Sequence, residues 1–232
     1  MTPGGTGSAG TGGSGRRAPE RKPAGVAART LAVEALVRVE GGGYSNLVLP
    51  ALLRQSGLDP RDRALVTDFV YGTLRHQGQA DHLLAQASHR PVPELDPPVR
   101  AALRLGTYQL LSDVAAHAAV GATVGVLAAW AAPAAVRRAA PFANAVLRRV
   151  AGLGPDWPWP AGDDAAAVAV RTSHPAWIVE LLRRDLGPDA DAVLASNNDV
   201  PAVTLRPNPL RTTPEDLAAE LAGAGAGAGA GA

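Results

Sequence analysis

Apolar residues recur every three or four positions along most of the chain from Val26 onward. This spacing predicts helices over 26–40 and 45–57, and one longer amphipathic helix over 59–87, bent at Gly72 or Gly78. Further helices are predicted at 97–111, at 118–131, from 141 through "FANAVLRRV", and in "SHPAWIVELLRRDLG" and "DADAVLASNN". Because period-two alternation is almost absent before residue 160, the pattern predicts an all-α helical bundle.

Changes in composition divide the chain into five predicted segments. Residues 1–23 contain almost nothing apolar and cannot offset the entropy of ordering, so they are predicted to be a disordered basic arm. The main domain spans 24–152, and 153–166 is a Pro- and Gly-rich linker whose Trp157 and Trp159 dock onto a neighbouring surface. A short helical segment follows at 167–210, and 211–232 is a low-complexity Ala/Gly tail. We expect everything beyond about residue 200 to be poorly ordered, because the strand-like stretch 203–205 has no strand to pair with.

Charge is distributed unevenly along the chain. Residues 1–150 hold 17 Lys and Arg against 10 Asp and Glu, a net charge of +7, whereas 151–232 hold 5 against 11, a net charge of −6. This asymmetry favours an anionic partner such as nucleic acid for the basic part, with ordinary solubilising charge as the alternative. No apolar run is long enough for a membrane span and no secretory signal precedes the first helix, so the predicted location is cytoplasmic.

Several motifs occur in a fixed order: "ARTLAVEALVRVEGGGYSN", "DRALVTDFVYGTLRH", "LRLGTYQLL", "AHAAV" and "FANAVLRRV". Together they resemble the NusB-type RNA-binding domain that forms the N-terminal part of the ribosomal RNA small subunit methyltransferase B family. The stretches "SHPAWIVELLRRDLG" and "SNNDVPAVTLRPNP" resemble the segment leading into that family's catalytic domain, and the likeness runs from Val26 to Asn208. One departure is Ala115, where the family usually has Pro. The resemblance implies a NusB-like helical bundle, followed by a short helical segment leading to a missing methyltransferase domain.

The family's reaction makes chemical demands that this sequence does not meet. Members transfer a methyl group from S-adenosylmethionine to C5 of a 16S rRNA cytosine, using a cysteine nucleophile, a second cysteine and a Gly-rich cofactor loop. The sequence contains no cysteine, and Gly41, Gly42 and Gly43 end a helix instead of following a strand. We therefore expect no catalytic residue, no bound cofactor, no metal site and no enzymatic activity in this chain. The Gly/Ala alternation at the end is interpreted as a truncation before the catalytic domain, with a natural end as the alternative.

The resemblance and the charge pattern nominate a set of RNA-binding residues: Arg16, Arg17, Arg21, Lys22, Arg29, Arg75, Arg148 and Arg149. Each choice has an alternative. The arm could be a solubilising tail. Arg75 could pair with Asp68 or Asp113, with Tyr71 half-buried beside it. Arg148 and Arg149 could extend a basic surface or complement the dipole at the C-terminal end of their helix.

Three hypotheses for function follow from these observations. The first is an RNA-binding module of a 16S rRNA cytosine-C5 methyltransferase, with small-subunit rRNA as its partner. The second is a subunit completed by a separately encoded S-adenosylmethionine-dependent catalytic domain. The third is a helical module that binds a protein partner. RNA affinity and its salt dependence separate the first hypothesis from the third.

Overall fold

The computed structural model describes residues 25–131, 133–200 and 204–225, and these residues form twelve α-helices and no strand. The all-α prediction is therefore confirmed for the described part of the chain. In chain order the helices are α1 (Val26–Glu40), α2 (Ser45–Gln55), α3 (Pro60–Arg75), α4 (Gln77–Ala87), α5 (Pro97–Leu111), α6 (Ala116–Ala128), α7 (Ala134–Arg138), α8 (Ala140–Ala151), α9 (Ala165–Thr172), α10 (Ala176–Leu186), α11 (Ala190–Ser196) and α12 (Pro214–Gly225). A single 3-10 turn, Val92–Glu94, lies between α4 and α5.

The predicted single helix over 59–87 is two helices, α3 and α4. Asp59 caps α3 as expected, since its side chain accepts a hydrogen bond from the Asp62 backbone N–H at 2.8 Å. The break lies at His76, whose φ of −99° and ψ of 18° leave the helical region, and not at Gly72 or Gly78. Both glycines serve close packing instead: a Cβ on Gly72 would overlap the Tyr108 ring, and one on Gly78 would press on Ser173.

Helix α5 is the centre of the bundle. Ten of its fifteen residues are buried, and it contacts α1, α3, α4, α6 and α8. Leu103 and Leu105 of α5 are fully buried in the resulting core, and so is Leu147 of α8. Burial of each such side chain contributes about 1.5–3 kcal/mol, so this core stabilises the position of every helix around α5.

Helix α1 runs antiparallel to α5. At one end Arg29 of α1 bonds to Gln109 of α5, and at the other end Glu40 of α1 bonds to Arg100 and Arg104 of α5. The end of α1 and the start of α5 therefore lie at the same end of the bundle.

Helix α8 runs parallel to α5. Gly106 lacks a side chain where Leu147 packs, and Val99 and Phe142 line one groove near the starts of the two helices. The start of α8 consequently lies beside the start of α5.

The segment between α8 and residue 195 packs onto the bundle. Trp157 and Trp159 are packed against the hydrophobic core, which confirms their predicted docking. Gln79 of α4 donates two hydrogen bonds to the end of α9. Its backbone N–H donates to Ser173 Oγ at 2.9 Å, and its Nε2 donates to the Arg171 carbonyl at 2.7 Å. The described residues from 25 to 195 thus form one compact unit that includes α9 and α10.

The second unit begins at Ser196, and its one helix in the described residues is α12. The prediction that everything beyond residue 200 is poorly ordered is wrong for 214–225, which lie inside the predicted Ala/Gly tail. Thr213 explains the helix, because its Oγ1 accepts from the Asp216 N–H at 3.1 Å and donates to the Asp216 carboxylate at 2.8 Å. Ala, Leu and Glu then favour helix propagation. Residues 204–208 have no regular structure, and Val203 lies outside the described residues.

Candidate nucleic-acid interface

The structure describes half of the predicted RNA-binding residues. Arg16, Arg17, Arg21 and Lys22 lie outside the described residues. Arg29, Arg75, Arg148 and Arg149 lie on three different helices, so the structure does not bring them together at one point.

Arg29 is half-buried and makes contacts within the bundle. Its Nε donates to Gln109 Oε1 at 2.8 Å, its Nη1 donates to the Gly25 carbonyl at 3.1 Å, and its guanidinium lies 4.8 Å from the centre of the Phe69 ring. Burial lowers the pKa of Arg29 from its ordinary value. These contacts join the start of α1 to α3 and α5.

A substitution at Arg29 is expected to change stability. In Arg29→Met the apolar stem is kept, but Gln109, which is fully buried, loses its charged partner. We expect the free energy of unfolding to fall by about 1–2 kcal/mol, measured by urea denaturation. An unchanged midpoint would show that these contacts contribute nothing to the fold.

Arg75 lies at the end of α3 with a half-buried Tyr71 one turn before it. Asp68, the suggested partner of Arg75, instead accepts a hydrogen bond from the Tyr108 hydroxyl at 3.0 Å. Burial raises the pKa of Tyr108. In the described part of the chain no hydrogen bond or ion pair is formed by the Arg75 side chain, which is half-buried and whose charge acts on Tyr108.

Arg148 and Arg149 are both exposed on the last turn of α8 and differ in their contacts. Arg148 Nε donates to Asn144 Oδ1 at 3.2 Å, one turn back on the same helix. Arg149 Nη1 donates to the carbonyl of Ala87 at 3.2 Å and lies 3.2 Å from His89 Nε2. Arg149 therefore ties α8 to the end of α4 and still presents charge at the surface.

Three further arginines lie near the start of α8 and were not among the predicted residues. Arg137 and Arg138 are exposed on α7, and Arg90 lies with its guanidinium 6.0 Å from the centre of the Phe142 ring. A groove of about 330 Å³ separates Arg90 from Arg138, with Phe142 in its wall. We call the set Arg90, Arg137, Arg138, Phe142, Arg148 and Arg149 the α8 strip.

The α8 strip is elongated along its helix. Phe142 and Arg149 are two turns apart on the same face, about 10 Å along the axis. Among the residues that line the groove, Arg90 and Arg138 outnumber the single carboxylate, Asp96, so the groove carries a net positive charge. The adjacent pair Arg137 and Arg138 was the available signal in the sequence, but only the tertiary structure brings Arg90 beside it.

The described residues do not fit an S-adenosylmethionine site. They form no strand and therefore no Gly-rich loop that follows one. Within the same ranges, no three His, Asp or Glu residues are grouped to hold a metal ion. None of the described helices combines the length and apolar character that a bilayer span requires.

These observations define an all-α domain with a groove lined by two arginines, Arg90 and Arg138, near the start of α8. Residues 26–152 match the NusB family, and the chain belongs to that family. Residues 174–232 match the Methyltr_RsmF/B-like, ferredoxin-like domain, and the described residues of this stretch include helices but no strand.

Curated relatives extend the family assignment. A Mycobacterium tuberculosis protein named as a methyltransferase is 39% identical over 218 residues, covering 89% of this chain and 47% of the relative. Ribosomal RNA small subunit methyltransferase B of Pseudomonas putida is 38% identical over 182 residues, covering 78% of this chain and 40% of the relative. The chain thus spans about half the length of the curated relatives it matches.

Two solved structures share the fold. The crystal structure of PH0851 has a TM-score of 0.63 at 17% identity and covers 86% of this chain and 45% of its own. A crystal structure of the antitermination factors NusB and NusE in complex with dsRNA has a TM-score of 0.50 at 20% identity, covering 56% of this chain and 96% of the other. At these identities the two structures support the bundle architecture alone.

Proposed function

We propose that this chain is the RNA-binding module of a 16S rRNA cytosine-C5 methyltransferase and that it binds small-subunit rRNA in the cytoplasm. The α8 strip is the observation that carries the proposal, because Arg90 and Arg138 line one groove with the Phe142 ring and Arg149 lies two turns further along the same face of α8. The names of the curated relatives supply the substrate class.

The chemistry of the strip suits a nucleic-acid backbone. Guanidinium groups bind phosphate oxygens through two parallel hydrogen bonds, and Arg137 and Arg138 are exposed for this role. Phe142 is half-buried beneath Arg90, which gives the groove an apolar wall against which a base or ribose can pack. The predicted arm residues Arg16, Arg17, Arg21 and Lys22 would add contacts that depend on charge and carry little sequence information.

Methyl transfer is assigned to a different polypeptide region. The reaction of the family needs a cysteine thiolate, and these 232 residues have none. A catalytic domain that holds S-adenosylmethionine would therefore be supplied by sequence outside these residues or by a separately encoded partner. In both cases the role proposed for this chain is to position the RNA.

The first test is RNA binding by Arg137→Gln/Arg138→Gln. Removing two phosphate contacts should weaken binding to a small-subunit rRNA fragment about tenfold and lower the slope of log affinity against log salt by about 1–2. Fluorescence anisotropy across a salt series measures both quantities. Arg54→Gln/Arg61→Gln is the control with matched charge, since these exposed arginines lie on α2 and α3.

Deletion of residues 1–23 in the same assay measures the arm separately. The proposal predicts a flatter salt dependence for this deletion as well. If the unaltered chain binds no RNA at low salt, or if the α7 and control variants lose equal affinity, the α8 strip is not an RNA site. Binding to a protein partner would then be the better account.

A further inference from the structure

Tyr44 exposes a large aromatic surface to solvent. The residue lies at the N-terminal boundary of α2 and is 74% exposed, and Leu47 one turn later is 65% exposed. The inner face of α2 is different, because Leu49 and Leu52 are buried in the core. The fold therefore does not use Tyr44 for its own packing.

The backbone beneath Tyr44 is held in one conformation. Gly42 has a φ of +100°, in the left-handed region that favours glycine, and the Gly43 N–H donates to the Arg38 carbonyl at 3.0 Å. A Cβ on Gly43 would lie 2.8 Å from that carbonyl oxygen and 2.8 Å from Val48 Cγ2. The carbonyl of Tyr44 in turn accepts from the Val48 N–H at 2.9 Å. The turn consequently presents the ring from a rigid base.

A hydrogen-bonded connection links this turn to the groove of the α8 strip. Glu40, four residues before Tyr44, accepts from Arg100 Nε at 2.7 Å. Arg100 Nη1 donates to the carbonyls of Pro93 and Leu95, at 2.7 and 2.8 Å. Leu95 lines the groove that contains Arg90 and Phe142. The Gly41–Tyr44 turn and the groove therefore lie at the same end of the bundle.

We infer that Tyr44 stacks on an unpaired base of RNA whose backbone lies along the α8 strip. The inference rests on the proposed function and adds a residue outside the strip. Proteins hold single-stranded RNA with two elements, an aromatic platform and a basic track. An exposed Tyr44 ring at the same end of the bundle as the groove of Arg90 and Arg138 supplies both elements. In a duplex the bases are already stacked on one another, so the inferred ligand is a single strand.

The test compares Tyr44→Ala, Tyr44→Phe and Leu47→Ala in binding to a single-stranded small-subunit rRNA fragment and to the same fragment annealed to its complement. Tyr44→Ala should weaken single-strand binding about tenfold. The salt slope should not change, because the ring contacts no phosphate. Tyr44→Phe keeps the stacking surface and should bind as the unaltered chain does. Leu47→Ala removes an exposed apolar side chain of the same helix turn and should have no effect.

Four results decide between the explanations. If Arg137→Gln/Arg138→Gln weakens binding and Tyr44→Ala does not, the inference is wrong and the proposed function stands. If neither variant weakens binding, the proposed function fails as well. Equal losses in Tyr44→Ala and Tyr44→Phe would exclude stacking, and an equal loss of single-strand and duplex binding would exclude an unpaired base. Thermal denaturation of each variant verifies that an exposed substitution has left the fold intact.

Discussion

Gly72→Ala is expected to lower the free energy of unfolding by about 3 kcal/mol, because no space exists for a methyl group at this position of α3. The added Cβ would lie 2.1 Å from Tyr108 Cζ and 2.2 Å from its hydroxyl oxygen. The Tyr108 ring cannot move aside freely, since it stacks on His76 at 5.7 Å and its hydroxyl bonds to Asp68. Urea denaturation followed by circular dichroism measures the loss.

Gly121→Ala is the matched control for this prediction. Gly121 is exposed inside α6, and a Cβ built there meets no atom within 4 Å. Alanine should therefore stabilise the helix by about 0.5–1 kcal/mol. The double variant Gly72→Ala/Tyr108→Ala should cost less than the sum of its single changes, because the smaller side chain leaves room for the new methyl group. Strict additivity would show that overlap with Tyr108 is not the cause.

Arg104→Met is expected to lower the free energy of unfolding by about 2–3 kcal/mol. This figure lies between the cost of breaking a buried ion pair and that of breaking an exposed one. Arg104 Nε and Nη2 donate to both oxygens of Asp81, at 2.7 and 2.8 Å, and Nη1 donates to Glu40 at 2.9 Å. The Arg104 side chain is only 12% exposed, so methionine would fill the space of its stem but leave the two carboxylates without that cation. Urea denaturation of Arg104→Met and of the unaltered chain measures the difference in free energy of unfolding.

The pH dependence of this effect follows from the direction of the pKa shift. Burial opposes the charge of Arg104, but the bonds to Asp81 and Glu40 outweigh it and raise the pKa of Arg104 above its ordinary value. A group with a raised folded-state pKa stabilises fully below its unfolded pKa and loses that contribution only above it. The loss in free energy of unfolding caused by Arg104→Met should therefore stay constant through the neutral pH range.

Arg38→Met is the control, because it breaks the exposed ion pair with Glu34. It should lower the free energy of unfolding by less than about 0.5 kcal/mol. Equal costs for the two variants would contradict the prediction.

Local signals in the sequence were sufficient for most of the bundle. The apolar spacing predicted α1, α5 and α8, and Asp59 before Pro60 marked the start of α3, because capping and amphipathic burial are encoded within a few neighbouring residues. Helices α7 and α9 were not predicted, and two further differences had non-local or overlooked causes. The break at His76 was assigned to glycines that in fact make room for Tyr108 and Ser173. The helix α12 was overlooked because a low-complexity composition hid the cap at Thr213.

Some residues of the candidate site could be predicted from local sequence, and others could not. Arg148 and Arg149 could be nominated from the sequence because two adjacent cations end an amphipathic helix, and Arg29 could be nominated from its place near the basic arm. The packing of Arg29 against Gln109 and Phe69 depends on contacts with residues 80 and 40 positions away, which no local pattern reveals. Arg90 was missed for the same reason, since it reaches Phe142 across 52 positions.

The sequence by itself determined the class of fold, the bounds of α1 and α5, the family, and the absence of the cysteine that the family's chemistry requires. These properties are local or compositional, and a single pass along the chain detects them. Only the tertiary structure decided which arginines share a surface, which are enclosed by the bundle, and where Tyr44 lies relative to the groove. Those relations arise when α1 and α8 pack in opposite directions against α5, because that packing places residues distant in sequence side by side.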